Sequence, residues 1–473
     1  MIIDHVRSVP ETNSSSSHYV VFSENYKRKF PVFLRKINKD FLDYGDVLEN
    51  PEDIVCYMYS QAFYNNVSHR FIELISKRPE FKIFKNFNSK TFDIDHQSII
   101  SLHGNKDTIA NFLVDLCIDI LKNGKIVIAD DSLVTTEDLN SGFEIGRIYE
   151  MYVYKNGNSY TLIEKLRNNS DFFEKFIIKF NNDPEHVFIY PNQVDIKITN
   201  YCEHNCWFCH EKSNKEGKCA DYYDIVSILY TSYGNLIPEV CLGGGNVLTY
   251  PFLHDLVYYI LENNSFVSFS VNWKDVFNTN LFDILNIDRF RISLGISMGT
   301  FQFDDVKLTN KFISKLTEIK NNFVFHFIDG VNTTEQIENF YKALKKRNHT
   351  YHPMLILGFK QNLGYNVKLS SRIDIERLCK NYTVYVDEIF AENRAFKHIN
   401  TETTKQYFFN ERCVGDKKDK LFIIDFSDYL YIDVVEKKYD VNSAKPKERM
   451  LSYKDGMSIE CLFKNVVNFV GRW

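Results

Sequence analysis

The sequence predicts an α/β protein in three parts. These are an N-terminal α+β domain over residues 1–185, a central region over 186–395 and a small C-terminal extension over 396–473. Two observations predict the central region: short apolar runs ended by Gly or Asn, and intervening stretches whose apolar residues recur at helical spacing. Strands that alternate with helices along a chain form parallel sheets. A length of 473 residues with 44% hydrophobic content is enough for more than one packed core.

Six strands are predicted in the central region. They are Val194–Thr199, Glu239–Leu242, Phe266–Val271, Phe290–Ser297, Phe323–Ile328 and Met354–Leu357. Asp221 and Pro251 each precede an apolar helical pattern, and Thr333 with Gln336 predicts a capping box before another. The region is therefore expected to fold as successive strand–helix units.

The N-terminal domain is predicted from a helix and a hairpin. Apolar residues recur on one face of residues 106–122, and Gly124 precedes the strand Lys125–Ala129. Asn156-Gly157 between two tyrosine-containing runs predicts a tight hairpin. Residues 13–18 predict a flexible polar segment, with a ligand contact by a serine and His18 as the alternative. Residues 181–184 are the expected linker.

Composition and charge exclude several classes of protein. The formal net charge is −5 and the basic runs are short, so nucleic-acid binding is not indicated. No apolar run is long enough for a membrane span, and residues 1–5 lack signal-peptide character, so a cytoplasmic location is expected. Seven of the ten cysteines are scattered singly, which argues against a disulfide framework.

Residues 202–209 carry the clearest chemical signal. Cys202, Cys206 and Cys209 give the spacing Cys-x3-Cys-x2-Cys directly after the first strand of the central region. Three thiolates on one short loop bind a soft metal or an iron–sulfur cluster, and a four-iron cluster with three cysteine ligands leaves one iron open. Structural zinc with His204 or His210 as a further ligand is the alternative. Zinc sites usually pair two such motifs, and no second Cys-x2-Cys is present.

The cysteine spacing, with Phe208 before the last cysteine, resembles the cysteine loop of the radical S-adenosylmethionine (radical SAM) enzymes. The resemblance implies a partial (β/α)6 TIM-like barrel over the six units, and a four-iron four-sulfur (4Fe-4S) cluster on Cys202, Cys206 and Cys209. It also implies that S-adenosylmethionine (SAM) binds the open iron and is cleaved reductively to a 5′-deoxyadenosyl radical. That radical takes a hydrogen atom from the substrate. The electron is expected from a flavodoxin- or ferredoxin-like reductant.

The resemblance also assigns SAM-binding residues. Gly243 and Gly244 match the glycine-rich stretch that meets the SAM amino group, where close backbone approach requires glycine. The family usually continues with Glu and Pro, whereas this chain has Gly245 and Asn246. The other assigned contacts are Asn272 after the third strand, Ser293 in the fourth strand, and Phe208 near the adenine. No residue is singled out as a catalytic acid or base.

The C-terminal extension resembles the start of an auxiliary-cluster module (SPASM or twitch type) of peptide-modifying radical SAM enzymes. Cys413-Val414-Gly415 precedes the strands Leu421–Asp425 and Tyr429–Asp433, which are predicted to form a hairpin. The module's second cysteine is missing, because Asp433-Val434-Val435 stands in its place. We therefore expect a degenerate module without a second cluster. The resemblance favours a peptide or protein side chain as the substrate.

Two classes of function remain open. The first is a radical SAM enzyme that acts on a peptide, a protein, a nucleotide or a small metabolite. The second is a non-catalytic protein whose cysteine loop holds structural zinc or an electron-transfer cluster. The two classes differ measurably, because only the first cleaves SAM.

Overall fold

A computed structural model of the chain divides it into two compact units, Met1–Phe188 and Ile189–Trp473. The structure describes residues 2–3, 17–22, 30–36, 47–88, 101–129, 142–145, 151–157, 159–165, 173–179, 189–232, 236–347, 352–360, 372–382, 384–387, 389–390, 421–424, 429–441, 443 and 449–470. Within these ranges, none of the helices combines the length and the apolar character that a membrane crossing requires.

Three helices form the core of the N-terminal unit: Pro51–Tyr64, Ser68–Lys77 and Lys106–Asn123. Asn105 caps the third helix by accepting a hydrogen bond from the backbone N–H of Asp107 at 2.8 Å. Tyr57, Phe71 and Phe112 from the three helices are almost fully buried in one apolar core. The helix predicted over residues 106–122 is therefore confirmed.

The strands of this unit form small sheets around the helices. They are β1 (Ile2–Ile3), β2 (Ser17–Phe22), β3 (Val32–Lys36), β4 (Val47–Leu48), β5 (Phe81–Asn88), β6 (Leu102–His103), β7 (Gly124–Ala129), β8 (Gly142–Ile145), β9 (Met151–Asn156), β10 (Ser159–Lys165) and β11 (Phe173–Lys179). The described sheets have the orders β1-β11-β10-β9-β6, β4-β7-β2-β8 and β3-β5.

Local turn chemistry predicted part of this unit correctly. β9 and β10 pair antiparallel around Gly157, whose φ is 64°, which confirms the Asn156-Gly157 hairpin. Ser17 and His18 lie in β2 and not in a loop, because β2 pairs with both β7 and β8. Residues 13–16 and the expected linker 181–184 lie outside the described residues.

The second unit is organised by one large sheet. Its strands are β12 (Gln193–Thr199), β13 (Glu239–Gly244), β14 (Phe266–Asn272), β15 (Ile292–Ser297), β16 (Asn322–Ile328), β17 (Met354–Leu357), β18 (Val384–Asp387), β19 (Leu421–Ile424), β20 (Tyr429–Asp433), β21 (Lys438–Asp440) and β22 (Leu451–Ser452). The order is β19-β18-β17-β16-β15-β14-β13-β12-β20-β21-β22. Pairing is parallel from β19 to β20, and antiparallel for the last two strands. The six predicted strands correspond to β12–β17.

Helices follow most of these strands. The described α-helices are Tyr222–Leu229, Leu253–Glu262, Thr279–Leu285, Val306–Leu316, Thr334–Lys346, Ile375–Cys379 and Ile459–Val470, and 3-10 helices span Val247–Thr249 and Trp273–Phe277. Asp221 caps the first helix through the Tyr223 and Asp224 N–H groups. Thr333 and Gln336 form the predicted capping box.

The predicted hairpin in the C-terminal extension is wrong. β19 pairs with β18, and β20 pairs with β12 and β21, so these two strands lie at different places in the sheet. Ile424 and Tyr429 are five residues apart, and consecutive Cα atoms are about 3.8 Å apart, so the two strand ends lie within about 19 Å. Because β12 to β18 stand between them, the sheet must curve strongly.

The two faces of the sheet differ in chemistry. Phe323, Phe325 and Phe327 of β16 face the helices, and the Phe325 ring lies 5.0 Å from that of Phe340. His326 points to the opposite, inner face, since alternate strand residues point apart. A Cβ built on Gly295 would lie 2.4 Å from His326. Polar residues at this inner-face parity include Asp195, Lys197, Ser268, Ser270, Asn272, Ser293, Ser297 and Asp433.

Candidate cofactor site at the carboxyl ends of the parallel strands

The cysteine loop, residues 200–220, connects β12 to the helix Tyr222–Leu229. Cys202, Cys206 and Cys209 are free and half-buried. The Cys202 N–H donates to the carbonyl of Asn214 at 2.9 Å, and the Cys209 N–H donates to that of Cys206 at 3.0 Å. Asn205 has a φ of 48°, a left-handed conformation that asparagine tolerates. The sequence thus builds a tight loop that carries all three motif thiols.

The motif thiols influence one another. Burial, followed by the charges of Cys209 and Cys202, raises the pKa of the Cys206 thiol to about 11. Burial also raises the pKa of Cys202. In the metal-free protein these two cysteines are protonated at neutral pH, so a metal that binds them displaces their protons. This mutual influence fits three ligands of one shared metal group.

Two glycines at the end of β13, Gly244 and Gly245, are required because the backbone there approaches the cysteine loop closely. Gly244 has a φ of 115°, and a Cβ built there would lie 2.1 Å from the Thr199 carbonyl oxygen. A Cβ on Gly245 would lie 2.0 Å from the Tyr201 carbonyl oxygen. The Gly245 N–H also donates to the Thr199 carbonyl at 2.7 Å. A larger residue at position 245 would separate this strand end from the loop.

Gly243 lies in a different environment. Among the described residues, a Cβ built there would have only the Ile196 carbonyl oxygen within 4 Å, at 3.9 Å. Gly243 pairs in register with Lys197, whose side chain has inner-face parity. The missing side chain therefore leaves room beside the cysteine loop where a polar ligand group can reach the backbone.

A hydrogen-bonded group, which we call the amide clamp, consists of Asn246, Glu203, His204 and Asp275. Asn246 Nδ2 donates to Glu203 Oε1 at 2.9 Å and to Asp275 Oδ1 at 3.4 Å. His204 Nε2 lies 2.8 Å from Asp275 Oδ2. Asp275 is buried in the 3-10 helix that follows β14. The amide clamp therefore fastens the cysteine loop to the ends of β13 and β14.

The amide clamp gives Asn246, one of the two departures from the family pattern, a structural role. Glu203, His204 and Asp275 each offer a ligating atom within 4.8 Å of the others, a geometry that could hold a cation. Asn246 Nδ2 lies among them, 2.9, 3.3 and 3.4 Å from the nearest atoms of Glu203, His204 and Asp275. Its amide group thus stands where a cation would stand.

Asn272 reaches the cysteines, and Ser293 does not. Asn272 Nδ2 lies 3.9 Å from Cys206 Sγ. In the sheet register Asn272 pairs with Ser297, whereas Ser293 pairs with Ser268. Ser293 precedes Ser297 by four residues, which at about 3.3 Å per residue is about 13 Å farther from the carboxyl end. Ser297 is therefore the β15 hydroxyl at the level of Asn272.

Phe208 lies against the chain that follows β15. A Cβ built on Gly299 would lie 2.4 Å from Phe208 Cζ. The Trp207 ring meets Phe208 edge-on at 5.4 Å and lies 6.4 Å from Phe359. Trp207 is 52% exposed, so it forms the outer part of this aromatic group. The group places apolar surface next to Cys206 and Cys209.

A second buried group, which we call the ionic clamp, consists of Lys197, Glu211 and Asp433. Lys197 pairs with Glu211, and its Nζ lies 3.1 Å from Asp433 Oδ2. The side chains of Lys197 and Asp433 have no exposed surface. Burial alone would raise the pKa of Glu211, but hydrogen bonds and charges from His210 and Lys197 hold it well below its ordinary value. The ionic clamp fastens the end of the cysteine motif to β12 and β20.

Asp433 occupies the position where the resemblance to an auxiliary-cluster module places its second cysteine. Tyr431, two residues earlier on the same strand, donates to Glu211 Oε1 at 3.2 Å. β20 therefore supports the cysteine loop through both residues.

The half-buried Lys360 contacts His210. Lys360 Nζ lies 3.1 Å from His210 Nε2 and 2.7 Å from Ser443 Oγ. Burial, with the charge of Lys360, lowers the pKa of His210, and burial lowers that of Lys360. The zinc alternative needed His204 or His210 as a ligand. In the structure the His204 Nε2 atom lies 2.8 Å from Asp275 Oδ2. The His210 Nε2 atom lies 3.1 Å from Lys360 Nζ and 3.3 Å from Glu211 Oε1.

Sequence reasoning missed the residues that hold the loop: Lys197, Glu211, Asp275, Lys360 and Asp433. One usable signal was Lys197, a charged residue in the middle of a strand of buried apolar residues. A charge at such a position is stable only with a buried partner. The sequence does not say which carboxylate that partner is.

The comparisons with known proteins found similar chains among the solved structures. No family model and no curated protein matches the chain. SuiB of Streptococcus suis bound to its precursor peptide SuiA is similar with a TM-score of 0.42 at 13% identity, over 61% of this chain and 68% of that one. A radical SAM methyltransferase from Sphaerobacter thermophilus is similar with a TM-score of 0.30 at 12% identity, over 52% of this chain and 77% of that one. The radical SAM methyltransferase TsrM from Kitasatospora setae is similar with a TM-score of 0.27 at 12% identity, over 35% of this chain and 36% of that one. The match therefore spans about a third of the length of TsrM.

Proposed function

We propose that this protein is a radical SAM enzyme whose Cys202, Cys206 and Cys209 hold a 4Fe-4S cluster. The observation that carries the proposal is the setting of these thiols. They share one loop at the carboxyl end of a parallel strand, and the amide clamp and the ionic clamp fasten that loop on both sides. Three thiolates leave one iron of such a cluster open. The donor set fits the cluster, because Asn272 offers an N–H near the Cys206 sulfur, a contact that metal-bound thiolates accept.

The residues proposed to bind SAM are Gly243, Gly244, Asn272, Ser293 and Phe208. The open space at Gly243 supports a backbone contact with the SAM amino group. The position of Phe208 against Gly299 supports an apolar seat for the adenine. Asn272 stands beside Cys206, which supports a polar contact close to the open iron.

For the ribose or carboxylate contact, two serines of β15 are candidates. Ser293 is the one that the family resemblance assigns. Ser297 is the alternative, because it pairs with Asn272 and stands nearer the cysteine loop. We further infer that the curved sheet is the partial (β/α)6 barrel of this family, extended by β18, β19 and β20.

When bound, the cluster and SAM supply reductive cleavage of SAM to a 5′-deoxyadenosyl radical that abstracts a hydrogen atom from the substrate. The chain has to fix the position of the cysteine loop and keep water away from it. The two clamps serve the first purpose. Trp207, Phe208 and Phe359 serve the second, since their rings lie directly beside the motif.

We propose a peptide or protein side chain as the substrate, with a nucleotide or small metabolite as the alternative. The proposed reductant is a flavodoxin- or ferredoxin-like protein, and the proposed location is the cytoplasm. Substrate class can be tested with deuterated peptides. Transfer of deuterium into 5′-deoxyadenosine would identify the peptide that supplies the hydrogen atom.

The proposed function predicts SAM cleavage by the anaerobically reconstituted protein with dithionite. The wild type should bind about four irons and form 5′-deoxyadenosine. Cys206→Ala should abolish the product, because the cluster loses one of its three ligands. Cys219→Ala is the matched control, since Cys219 lies on the same loop, is exposed and is outside the motif.

Other outcomes would favour the second class of function. Stoichiometric zinc without iron uptake would contradict the enzyme. An intact cluster without 5′-deoxyadenosine, even after peptides and metabolites are added, would favour an electron-transfer protein.

A further inference from the structure

Asn246 and Asn272 have the same local role at the ends of neighbouring strands. Each caps a 3-10 helix: Asn246 Oδ1 accepts from the Leu248 N–H, and Asn272 Oδ1 accepts from the Lys274 N–H, both at 3.1 Å. Because the backbone engages each side-chain oxygen, the NH2 group of each amide must point the other way. The caps therefore direct both NH2 groups toward the cysteine loop.

The two NH2 groups reach different targets. Asn246 contacts the carboxylates of the amide clamp. Asn272 Nδ2 donates to Thr300 Oγ1 at 3.3 Å and lies 3.9 Å from Cys206 Sγ. The Asn272 backbone N–H donates to Asp275 Oδ2 at 3.1 Å, which holds the residue in place. Among the three motif cysteines in the described structure, Cys206 is the one with a side-chain N–H at this distance.

Thr300 keeps the Asn272 amide from moving away from the loop. Its hydroxyl oxygen also accepts from Trp273 Nε1 at 3.0 Å. The Trp273 ring is buried and meets Phe301 edge-on at 5.0 Å. The amide is therefore held between a fixed hydroxyl and the Cys206 sulfur.

We propose that Asn272 is a positioning residue that raises the reduction potential of the cluster through its contact with Cys206. This inference rests on the proposed function. An N–H directed at a ligating sulfur stabilises negative charge, and the reduced cluster carries one more negative charge than the oxidised cluster. The amide therefore favours the reduced form, from which SAM cleavage proceeds.

The variant Asn272→Asp isolates this effect from the fold. Aspartate keeps the oxygen that caps the Lys274 N–H, but it removes the N–H donor and adds a negative charge beside Cys206. The matched control is Asn278→Asp, because Asn278 caps the helix Thr279–Leu285 by accepting from the Asn280 N–H at 3.0 Å. Both variants are reconstituted anaerobically, assayed for iron, and titrated by EPR-monitored reduction.

We expect Asn272→Asp to bind as much iron as the wild type and to resist reduction. At a fixed potential the ratio of reduced to oxidised cluster should fall about tenfold, which is about 59 mV for a one-electron couple. Asn278→Asp should titrate as the wild type does. An unchanged midpoint in Asn272→Asp at full iron content would overturn the inference.

A second measurement decides the matter if Asn272→Asp binds no iron. Wild-type protein labelled with 15N at its asparagine side chains should show a weak nitrogen coupling to the reduced cluster in pulsed EPR. Asn272→Ala should lose that coupling, and Asn278→Ala should keep it. Absence of the coupling in the wild type would also overturn the inference. Failure of the wild type to assemble any cluster contradicts the proposed function instead, so the two failures are distinguishable.

Discussion

The two sides of the cysteine loop are held by different chemistry. On the side of β20, the ionic clamp buries a lysine between the carboxylates of Glu211 and Asp433. On the side of β14, the amide clamp uses the neutral NH2 group of Asn246 between Glu203 and Asp275. Both clamps join a loop residue to residues from strands or strand ends distant in sequence. The two clamps differ in whether the remaining groups keep a partner when one member is removed.

The cost of removing one member indicates which of the two clamps contributes more to the stability of the loop. Removing one member of a buried ion pair leaves an uncompensated charge, which is costly. Removing an amide donor leaves groups that are already hydrogen-bonded elsewhere, such as Asp275 with His204 and Asn272. We infer that the ionic clamp secures the folded loop. The amide clamp holds the loop with a smaller contribution to stability, and the neighbouring Asn272 adjusts the surroundings of the Cys206 thiol.

The largest effect is expected for Lys197→Met. Methionine fills a similar volume but leaves Glu211 and Asp433 as two buried carboxylates with no lysine between them. We expect the free energy of unfolding of the metal-free protein to fall by about 3–5 kcal/mol, measured by urea unfolding near neutral pH. Lys437→Met is the control, because the Lys437–Asp455 pair is exposed and should contribute little. Equal effects of the two substitutions would mean that the ionic clamp does not secure the loop.

The sequence predicts regular elements well where the signal is local. β12–β17 follow from apolar runs and their spacing, and the β9–β10 hairpin follows from Asn156-Gly157. The pairing of β19 and β20 could not be predicted in this way. Two adjacent strands with a short connection have the same local pattern in a hairpin as at two ends of a strongly curved sheet. The register is decided by distant partners, β18 and β12.

The same limit applies to the site. The cysteine spacing marks the proposed metal ligands and the consecutive glycines mark the backbone approach, because each signal lies within one short segment. Lys197, Glu211 and Asp433 are separated by 14 and 222 residues, and only the fold brings them together. Gly245 and Asn246 looked like losses relative to the family. The structure shows instead that each joins the strand end to the cysteine loop.

A smaller effect is expected for Asn246→Asp, which tests whether the amide stands in for a cation. The new carboxylate keeps the cap on the Leu248 N–H but faces Glu203 and Asp275 without an N–H between them. We expect a loss of about 1–3 kcal/mol in unfolding free energy, because two hydrogen-bonded carboxylates lose their donor. Mn²⁺ should restore this stability, since three carboxylates and His204 now converge.

The control for this cation effect is the wild type together with Asn278→Asp. Neither should gain thermal stability from Mn²⁺ beyond the general effect of the salt. If Asn246→Asp gains no more than they do, the amide clamp is an ordinary hydrogen-bonded group and not a cation-shaped one.

The smallest effect concerns the pH dependence of the ionic clamp, tested with Glu211→Gln. Glutamine still accepts a hydrogen bond from Lys197, and Asp433 still balances the charge, so we expect a loss of only about 1 kcal/mol near neutral pH. Glu211 has a folded-state pKa well below its ordinary value of 4.5. Its stabilisation is therefore fully present above pH 4.5 and is lost as the pH falls through the folded pKa.

The difference in unfolding free energy between the wild type and Glu211→Gln should therefore decrease on acidification. In urea unfolding of the metal-free proteins, the difference should be constant above about pH 5 and should shrink below about pH 4.5. A difference that grows on acidification would mean that the ionised Glu211 carboxylate destabilises the folded state. Burial would then outweigh the pairing with Lys197 and His210, and the loop would owe its position to the amide clamp and not to the ionic clamp.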